Sequence, residues 1–241
     1  MYLSILVPIY NEEHRLMRAL KELVTVQFPC DTEIVVVDDG SRDHSWELLQ
    51  PFADEGRVRL LRHHRNRGKG AAIRTAARAA AGEYIVVYDA DLEYEASDLP
   101  KLLRPVLDGK AEVVYGSRSF GSHSAYSFWY VMGNRGITLA ANVLYNTYIS
   151  DLETCYKLLP RRMYLDLKVT SRGFGMEAEL TAKILKSGVR PFEVPISYKA
   201  RTREEGKKIS WRDGVGALWI LGRERVRRKV PSSRRHRTSV R

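Results

Sequence analysis

Residues 84 to 93, Tyr-Ile-Val-Val-Tyr-Asp-Ala-Asp-Leu-Glu, constrain the fold more than any other stretch. A β-branched and aromatic run from Tyr84 to Tyr88 suits a short central strand covered on both faces, which places it inside a sheet with helices above and below. The run then turns acidic, with Asp89, Asp91 and Glu93 at alternate positions. In extended chain alternate side chains share a side, so these three carboxylates are expected to converge just beyond the sheet edge. Hard oxygen donors at that spacing suit Mg²⁺ or Mn²⁺, which keep waters and complete their shell with substrate phosphates. An acidic turn after a strand accounts for the same letters, and Asp-x-Asp alone is frequent by chance.

The chain upstream repeats one unit. Residues 2 to 8 read as a strand stopped by Pro8, followed by a helix with apolar positions at Leu16, Leu20, Leu23 and Val24. Residues 33 to 38 form a second buried strand running into Asp39-Gly40-Ser41, where Ser41 or Asp43 can cap the next helix. Residues 57 to 61 make a third, and the alanine-rich stretch from 71 to 81, closed by Gly82, is a strong helix former. Strand and helix alternate with short connections, the pattern of a parallel sheet wrapped on both faces. Such sheets bind ligands outside the carboxyl ends of their strands. Pro8 to Glu12, Asp38-Asp39, Lys69-Gly70 and Asp89 to Glu93 all fall there.

Gly68-Lys69-Gly70 has neither the Walker A spacing nor the Gly-x-Gly-x-x-Gly dinucleotide spacing. It reads as a helix N-terminus with free N–H groups and a lysine, suited to an anion, or equally as a plain helix-start turn.

In order, Val7-Pro8-Ile9-Tyr10-Asn11-Glu12, Val36-Val37-Asp38-Asp39-Gly40-Ser41, Asn66 to Gly70 and Asp89-Ala90-Asp91 form a set. From about residue 2 to residue 211 the chain resembles family 2 glycosyltransferases of the GT-A fold, and among them the dolichyl-phosphate mannose and glucose synthases. The resemblance implies an α/β fold with a mostly parallel central sheet flanked by helices. It implies that Pro8, Tyr10, Glu12 and Asp39 line a base and ribose site with Asp38 beside them, and that Asn11, Lys69, Gly70 and Ala90 belong to the nucleotide-sugar site. Asp89 and Asp91 would carry the metal and the sugar diphosphate, and Glu93 stands where relatives have Gln or another polar ligand. The cationic loop from 198 to 208, with Arg201, Lys207 and Lys208, resembles the segment that closes over the diphosphate; a solvated basic loop is the alternative.

The second half resembles the acceptor side of those synthases. Val113 to Arg118 reads as a strand ending in a cation, and Arg118 and Arg135 are the expected holders of an acceptor phosphate, since guanidinium offers two donors in a fixed fork. Asp151 to Lys157 resembles a family stretch in which Cys155 replaces a glycine, and Thr154 is assigned to the acceptor site. Cys155 is expected to be buried and unreactive. Glu177, at the start of a helix, is expected to touch sugar hydroxyls or to orient Arg118, though an acidic helix start explains it too. Residues 190 to 196 read as a last short strand.

Charge and apolar pattern bear on partners. Of the net +11, residues 223 to 241 hold nine Lys or Arg against Glu224 alone, leaving +3 for residues 1 to 222. Two cysteines, Cys30 and Cys155, without paired spacing fit a reducing compartment rather than a disulfide framework. No signal peptide or membrane-spanning run is read. Tyr126, Phe128, Trp129 and Tyr130, together with an amphipathic stretch from 209 to 222 followed by cations, suit a chain lying on an anionic membrane. The expected organisation is a catalytic domain over 1–211, a membrane-associating helix over 212–230 and a basic disordered tail over 231–241.

The expected reaction is inverting transfer of a hexose from UDP-glucose or GDP-mannose to a polyprenyl phosphate at the cytoplasmic face of the membrane. The Glu-Thr-Cys-Tyr-Lys variant stands closer to glucosyl-type members. A soluble saccharide or natural-product acceptor is the alternative. Nucleic-acid binding is disfavoured, because the charge lies in the tail and no such motif occurs.

Overall fold

A computed structural model describes residues 1–119, 128–173, 175–200 and 211–227. The elements run β1 (Tyr2–Ile9), α1 (Glu13–Thr25), β2 (Asp31–Asp38), α2 (Ser45–Asp54), β3 (Arg59–Arg62), α3 (Lys69–Ala79), β4 (Tyr84–Val87), α4 (Leu99–Leu107), β5 (Val114–Ser117), α5 (Phe128–Tyr145), β6 (Lys157–Pro160), α6 (Arg161–Asp166), α7 (Gly175–Lys186), β7 (Phe192–Pro195) and α8 (Trp211–Val226). Among the described residues one sheet has the order β3-β2-β1-β4-β6-β5-β7. β6 alone runs against its neighbours, while the other pairings are parallel. The expected doubly covered, mostly parallel sheet is therefore what forms.

Its two faces carry separate cores. Leu3, Ile5 and Val7 of β1 point to α1 and α4, whereas Leu6, Val35 and Val37 meet the alanines of α3 and the apolar side of α7. This alternation within runs that look uniformly apolar is the period-two geometry of a strand buried on both sides. Alanine along α3 lets that helix lie close to the sheet.

Several boundaries differ from the sequence reading. β1 does not stop at Pro8 but continues to Ile9 in register with Asp38. The β1–β4 ladder ends at Leu6 and Val87, so Pro8 lies where β1 has an open side and a missing N–H costs little. α3 ends at Ala79 because Ala80 turns extended, two residues before Gly82. Gly82 serves close packing instead: a Cβ there would stand 2.5 Å from Ser4 Oγ. α2 starts from His44 with no side-chain cap; Asp43, one residue earlier, accepts the N–H groups of Ser45 and Glu13 and ties two helix starts together. β6 escaped the reading altogether, since its four residues begin on a lysine and end on a proline.

Away from the sheet, α5, α7 and α8 build a third apolar cluster around Ala141, Tyr145, Ala178, Ala182, Ala217 and Leu221. α7 is buried from Met176 to Leu185 on every face. It can be so only because its charged residues find partners there. Among the described residues no helix is long and apolar enough to cross a membrane.

Candidate active site

The carboxyl ends of β1, β2 and β3 are laced into one platform by side chains that accept backbone N–H groups. Asn11, at φ 53°, accepts from Arg42 N through its side-chain oxygen and donates its own N–H to Ser41 Oγ. Glu12 donates its N–H to Ser45 Oγ. Asp38, fully buried, accepts from Ser41 N and pairs with Arg62 at 3.0 Å. The carboxylate of Asp39 accepts from Arg67 N and Gly68 N and lies 2.6 Å from His63 Nδ1, whose Nε2 reaches Thr75 Oγ1. Expected to face a nucleotide base, Asp39 already has both oxygens engaged by its own chain; it shapes the loop that leads to Lys69. Beside this platform a pocket of about 460 Å³ is walled by Arg42, Arg62, His63 and Arg65, with Gly40 at its floor. Gly40 is required there: its φ is 74° and a Cβ would stand 2.5 Å from the Arg65 carbonyl carbon.

The expected anion cradle at the start of α3 is also used internally. Gly70 N–H donates to Arg172 O, and a Cβ on Gly70 would come within 2.4 Å of Ser171 O. These glycines allow close packing against residues 171 and 172, so the plain helix-start reading holds for Gly70. The lysine between them points into the site. Lys69 Nζ lies 2.6 Å from Asp89 Oδ2, 3.2 Å from Cys155 Sγ and 3.8 Å from Glu177 Oε1. Burial works to lower its pKa, but the negative neighbours, Asp89 first, outweigh that and hold it well above the usual lysine value.

Beyond β4 the chain does not stay extended, so the three acids do not line up as alternate side chains would. Strand pairing ends at Val87, a turn follows, and Leu92 has φ 61°. Asp91 Oδ1 accepts Glu93 N–H, while Glu93 Oε2 accepts from the Tyr198 hydroxyl. Among the described residues no three His, Cys, Asp or Glu side chains gather as a metal cluster. Asp89 and Asp91 nevertheless fit a hard divalent cation that takes its remaining ligands from phosphate and water, and Asp89 already holds one cation, the Lys69 ammonium.

The acceptor-side residues form a second network. Arg118 forks onto Asp151 (Nε–Oδ2 2.6 Å, Nη2–Oδ1 2.7 Å) and stacks 4.9 Å above the Tyr198 ring. Asn134 of α5 adds a 3.0 Å bond to Asp151. Burial alone would raise the Asp151 carboxyl, yet the Arg118 guanidinium holds it below the ordinary range. The group orienting Arg118 is thus Asp151, not Glu177. Glu177 is buried and pairs with Lys157 at 2.7 Å, and Lys157 in turn donates to the carbonyls of Leu152 and Thr154. Thr154 is fully buried, with its hydroxyl unpartnered among the described residues. Burial pushes the neighbouring Glu153 carboxyl up to about 7. Arg135 stands exposed on α5, and Asn134 beside it is the residue that faces the pair. Arg201, Lys207, Lys208, Tyr126 and the tail lie outside the described residues.

The model of glycosyl transferase family 2 matches residues 4–167. The chain belongs to that family. It is 29% identical over 198 residues to the glycosyltransferase AglJ of Haloferax volcanii, covering 82% of this chain and 63% of AglJ. It is 27% identical over 211 residues to the dolichol-phosphate mannosyltransferase of Pyrococcus furiosus, covering 86% of this chain and 59% of that one. This chain thus spans about three fifths of either relative. Glucosyl-3-phosphoglycerate synthase of Mycobacterium tuberculosis, solved with Mn²⁺, UDP and glucosyl-3-phosphoglycerate, superposes with a TM-score of 0.69 at 19% identity over 91% of this chain and 80% of that one. That likeness shows the GT-A fold.

In this glycosyltransferase, sequence reasoning overlooked His63, Asn134 and the pairing roles of Asp151 and Lys157. It read Cys155 as inert, and burial does push that thiol well above its usual pKa. Its position was not foreseen: the sulfur touches the lysine that holds Asp89. The only available signal was polarity within apolar runs, as at Asn134.

Proposed function

We propose that this glycosyltransferase moves a hexose from a nucleotide sugar, UDP-glucose or GDP-mannose, to a polyprenyl-type lipid phosphate, with inversion at the anomeric carbon. One observation carries the acceptor half of this reading. The Arg118–Asp151–Asn134 cluster is joined to the inner side of α5 through Asn134, and the outer side of that helix exposes Phe128, Trp129, Met132, Leu139 and Val143. A phosphate held there would have an apolar surface for its chain, and the acids of β4 lie close by through Lys69 and Cys155. The kinship with a dolichol-phosphate mannosyltransferase supports the same acceptor class.

The platform of β1 to β3 binds the nucleoside, with Pro8, Tyr10, Asn11, Glu12 and Asp38 around it. Asp89 and Asp91, with Ala90 between them, hold Mg²⁺ or Mn²⁺ and through it the diphosphate; Glu93 acts through Tyr198. When bound, that ion neutralises the departing nucleoside diphosphate. Lys69, beside Asp89, adds positive charge to this part of the site. Arg118 spends Nε and Nη2 on Asp151 and presents its remaining donors to the acceptor phosphate. A phosphate monoester is anionic near neutral pH, so its oxygen attacks C1 without a protein base; the protein's contribution is position and charge.

α8 extends the apolar surface with Val215, Leu218, Trp219 and Val226, and Arg223 stacks 4.7 Å from the Trp219 ring. Aromatic residues mixed with arginines suit an anionic membrane surface, taken here as the cytoplasmic face. The test is incubation with labelled UDP-glucose or GDP-mannose, Mn²⁺ and a short polyprenyl phosphate. Label in the organic phase is expected. Label moving only to added soluble saccharides would overturn the lipid acceptor and leave the transferase.

A further inference from the structure

Four charges run in a line from the β4 acids past α7 to β6: the part-buried Asp89 and Lys69, then the buried Glu177 and Lys157. The links are 2.6 Å from Asp89 to Lys69, 3.8 Å from Lys69 to Glu177 Oε1 and 2.7 Å from Glu177 Oε2 to Lys157. The line is uneven. Lys69 is hydrogen-bonded to Asp89, whereas Glu177 Oε1 is buried with no hydrogen-bond partner among the described residues. A buried carboxylate oxygen without a donor is a costly arrangement. Here a flexible ammonium stands 3.8 Å away, just outside hydrogen-bonding range of it. Lys157 cannot fill the position, being committed to Glu177 Oε2 and to the carbonyls of Leu152 and Thr154.

We propose that Lys69 is shared between two carboxylates, and that a divalent cation arriving at Asp89 displaces its ammonium onto Glu177 Oε1. The inference rests on the reading of Asp89 and Asp91 as metal ligands, and it gives Glu177 the part of a positioning residue rather than one that touches sugar. Two cations on Asp89 repel each other, and at about 4 Å that repulsion in a partly buried site is several times thermal energy, which favours moving the mobile one to a second carboxylate. Glu177 accepts the displaced charge without returning it to solvent. The entry of the metal and the movement of Lys69 are then one event, which leaves the lysine on the α7 side of the site.

Titration of Mn²⁺ into the full-length protein, followed by the loss of the free-ion electron paramagnetic resonance signal, tests this without turnover. Lys69→Met removes the competitor, so Mn²⁺ should bind on the order of tenfold more tightly. Glu177→Gln removes the receiving charge and should weaken Mn²⁺ binding severalfold in the wild-type background, but have almost no effect in the Lys69→Met background. Lys69→Gln serves if the methionine variant does not fold. Equal weakening by Glu177→Gln in both backgrounds would mean simple attraction between carboxylate and metal, and would overturn the shared lysine. So would unchanged or weaker binding in both lysine variants. If Asp91→Ala binds Mn²⁺ like the wild type, or no variant binds it even with UDP, the metal reading itself falls and takes this inference with it.

Discussion

The loops after β1, β2 and β3 hold their acids and amides largely with backbone N–H groups, whereas the region around β5, β6 and α7 relies more on side-chain cations. Asp39, Asp43 and Asn11 each accept at least one main-chain N–H from a neighbouring loop, and Asp38 accepts one from its own. Asp151 and Glu177 are met chiefly by Arg118 and Lys157, while Glu179 combines Lys183 with the N–H groups of Thr170 and Ser171. The first arrangement is rigid because the donors belong to the fold itself. The second can be rearranged by moving one side chain, but losing one partner strands a charge in a buried place. The first arrangement suits the proposed nucleotide-binding platform, and the second suits the proposed centre where charge moves.

Asp91→Ala is the sharpest way to separate function from stability across this divide. Transfer should fall by about 10²- to 10³-fold, while the urea midpoint shifts by less than about 1 kcal/mol equivalent. A normal rate with metal present would remove the assignment. Asp151→Ala should instead cost about 3 kcal/mol of stability, read by urea unfolding, because it leaves the Arg118 guanidinium half-buried and unpaired. Asp151→Asn, which keeps shape and an acceptor, should cost less.

Acid should loosen the acceptor side in a defined window. Burial would raise the Glu179 pKa, but Lys183 and the donors of Ser171 and Thr170 prevail and hold it at about 2. A carboxylate whose folded pKa is depressed contributes stability above its unfolded value, near 4.5, and loses it as pH falls toward 2. The contribution is about 3 kcal/mol at neutral pH, and Glu179→Gln should flatten the stability curve between pH 4.5 and 2. The smallest effect concerns the apolar surface. Trp129→Ser with Trp219→Ser, at side chains 78% and 62% exposed, should weaken binding to anionic vesicles about tenfold. Stability should be unchanged, and equal affinity for neutral vesicles in the parent protein would count against membrane docking.

The contrast also explains what was legible. Consecutive parallel strands lie side by side, so motifs at their ends meet by topology alone; Asp38, Asp39 and Asp89 could be placed at one sheet edge from the order of strands. Whether Asp39 faces a ligand or its own loop could not, because that depends on where Arg67 and Gly68 return. The acceptor side was harder. β6 carries no period-two pattern, and its reversed direction is what brings residues 151 to 157 across the sheet toward Lys69. Glu93 was misaligned because the chain leaves β4 at Val87 and turns before it, with Leu92 at φ 61°.

By itself the amino-acid order determined the class of fold, the edge of the sheet where chemistry gathers and the identity of the β4 acids, since strand periodicity and short connections are local properties. Only the tertiary structure decided which charge meets which. Lys69 and Glu177 are far apart along the chain and yet within 3.8 Å in space. A pairing of that kind depends on the packing of α3 against α7, and nothing in the neighbouring letters of either residue encodes it.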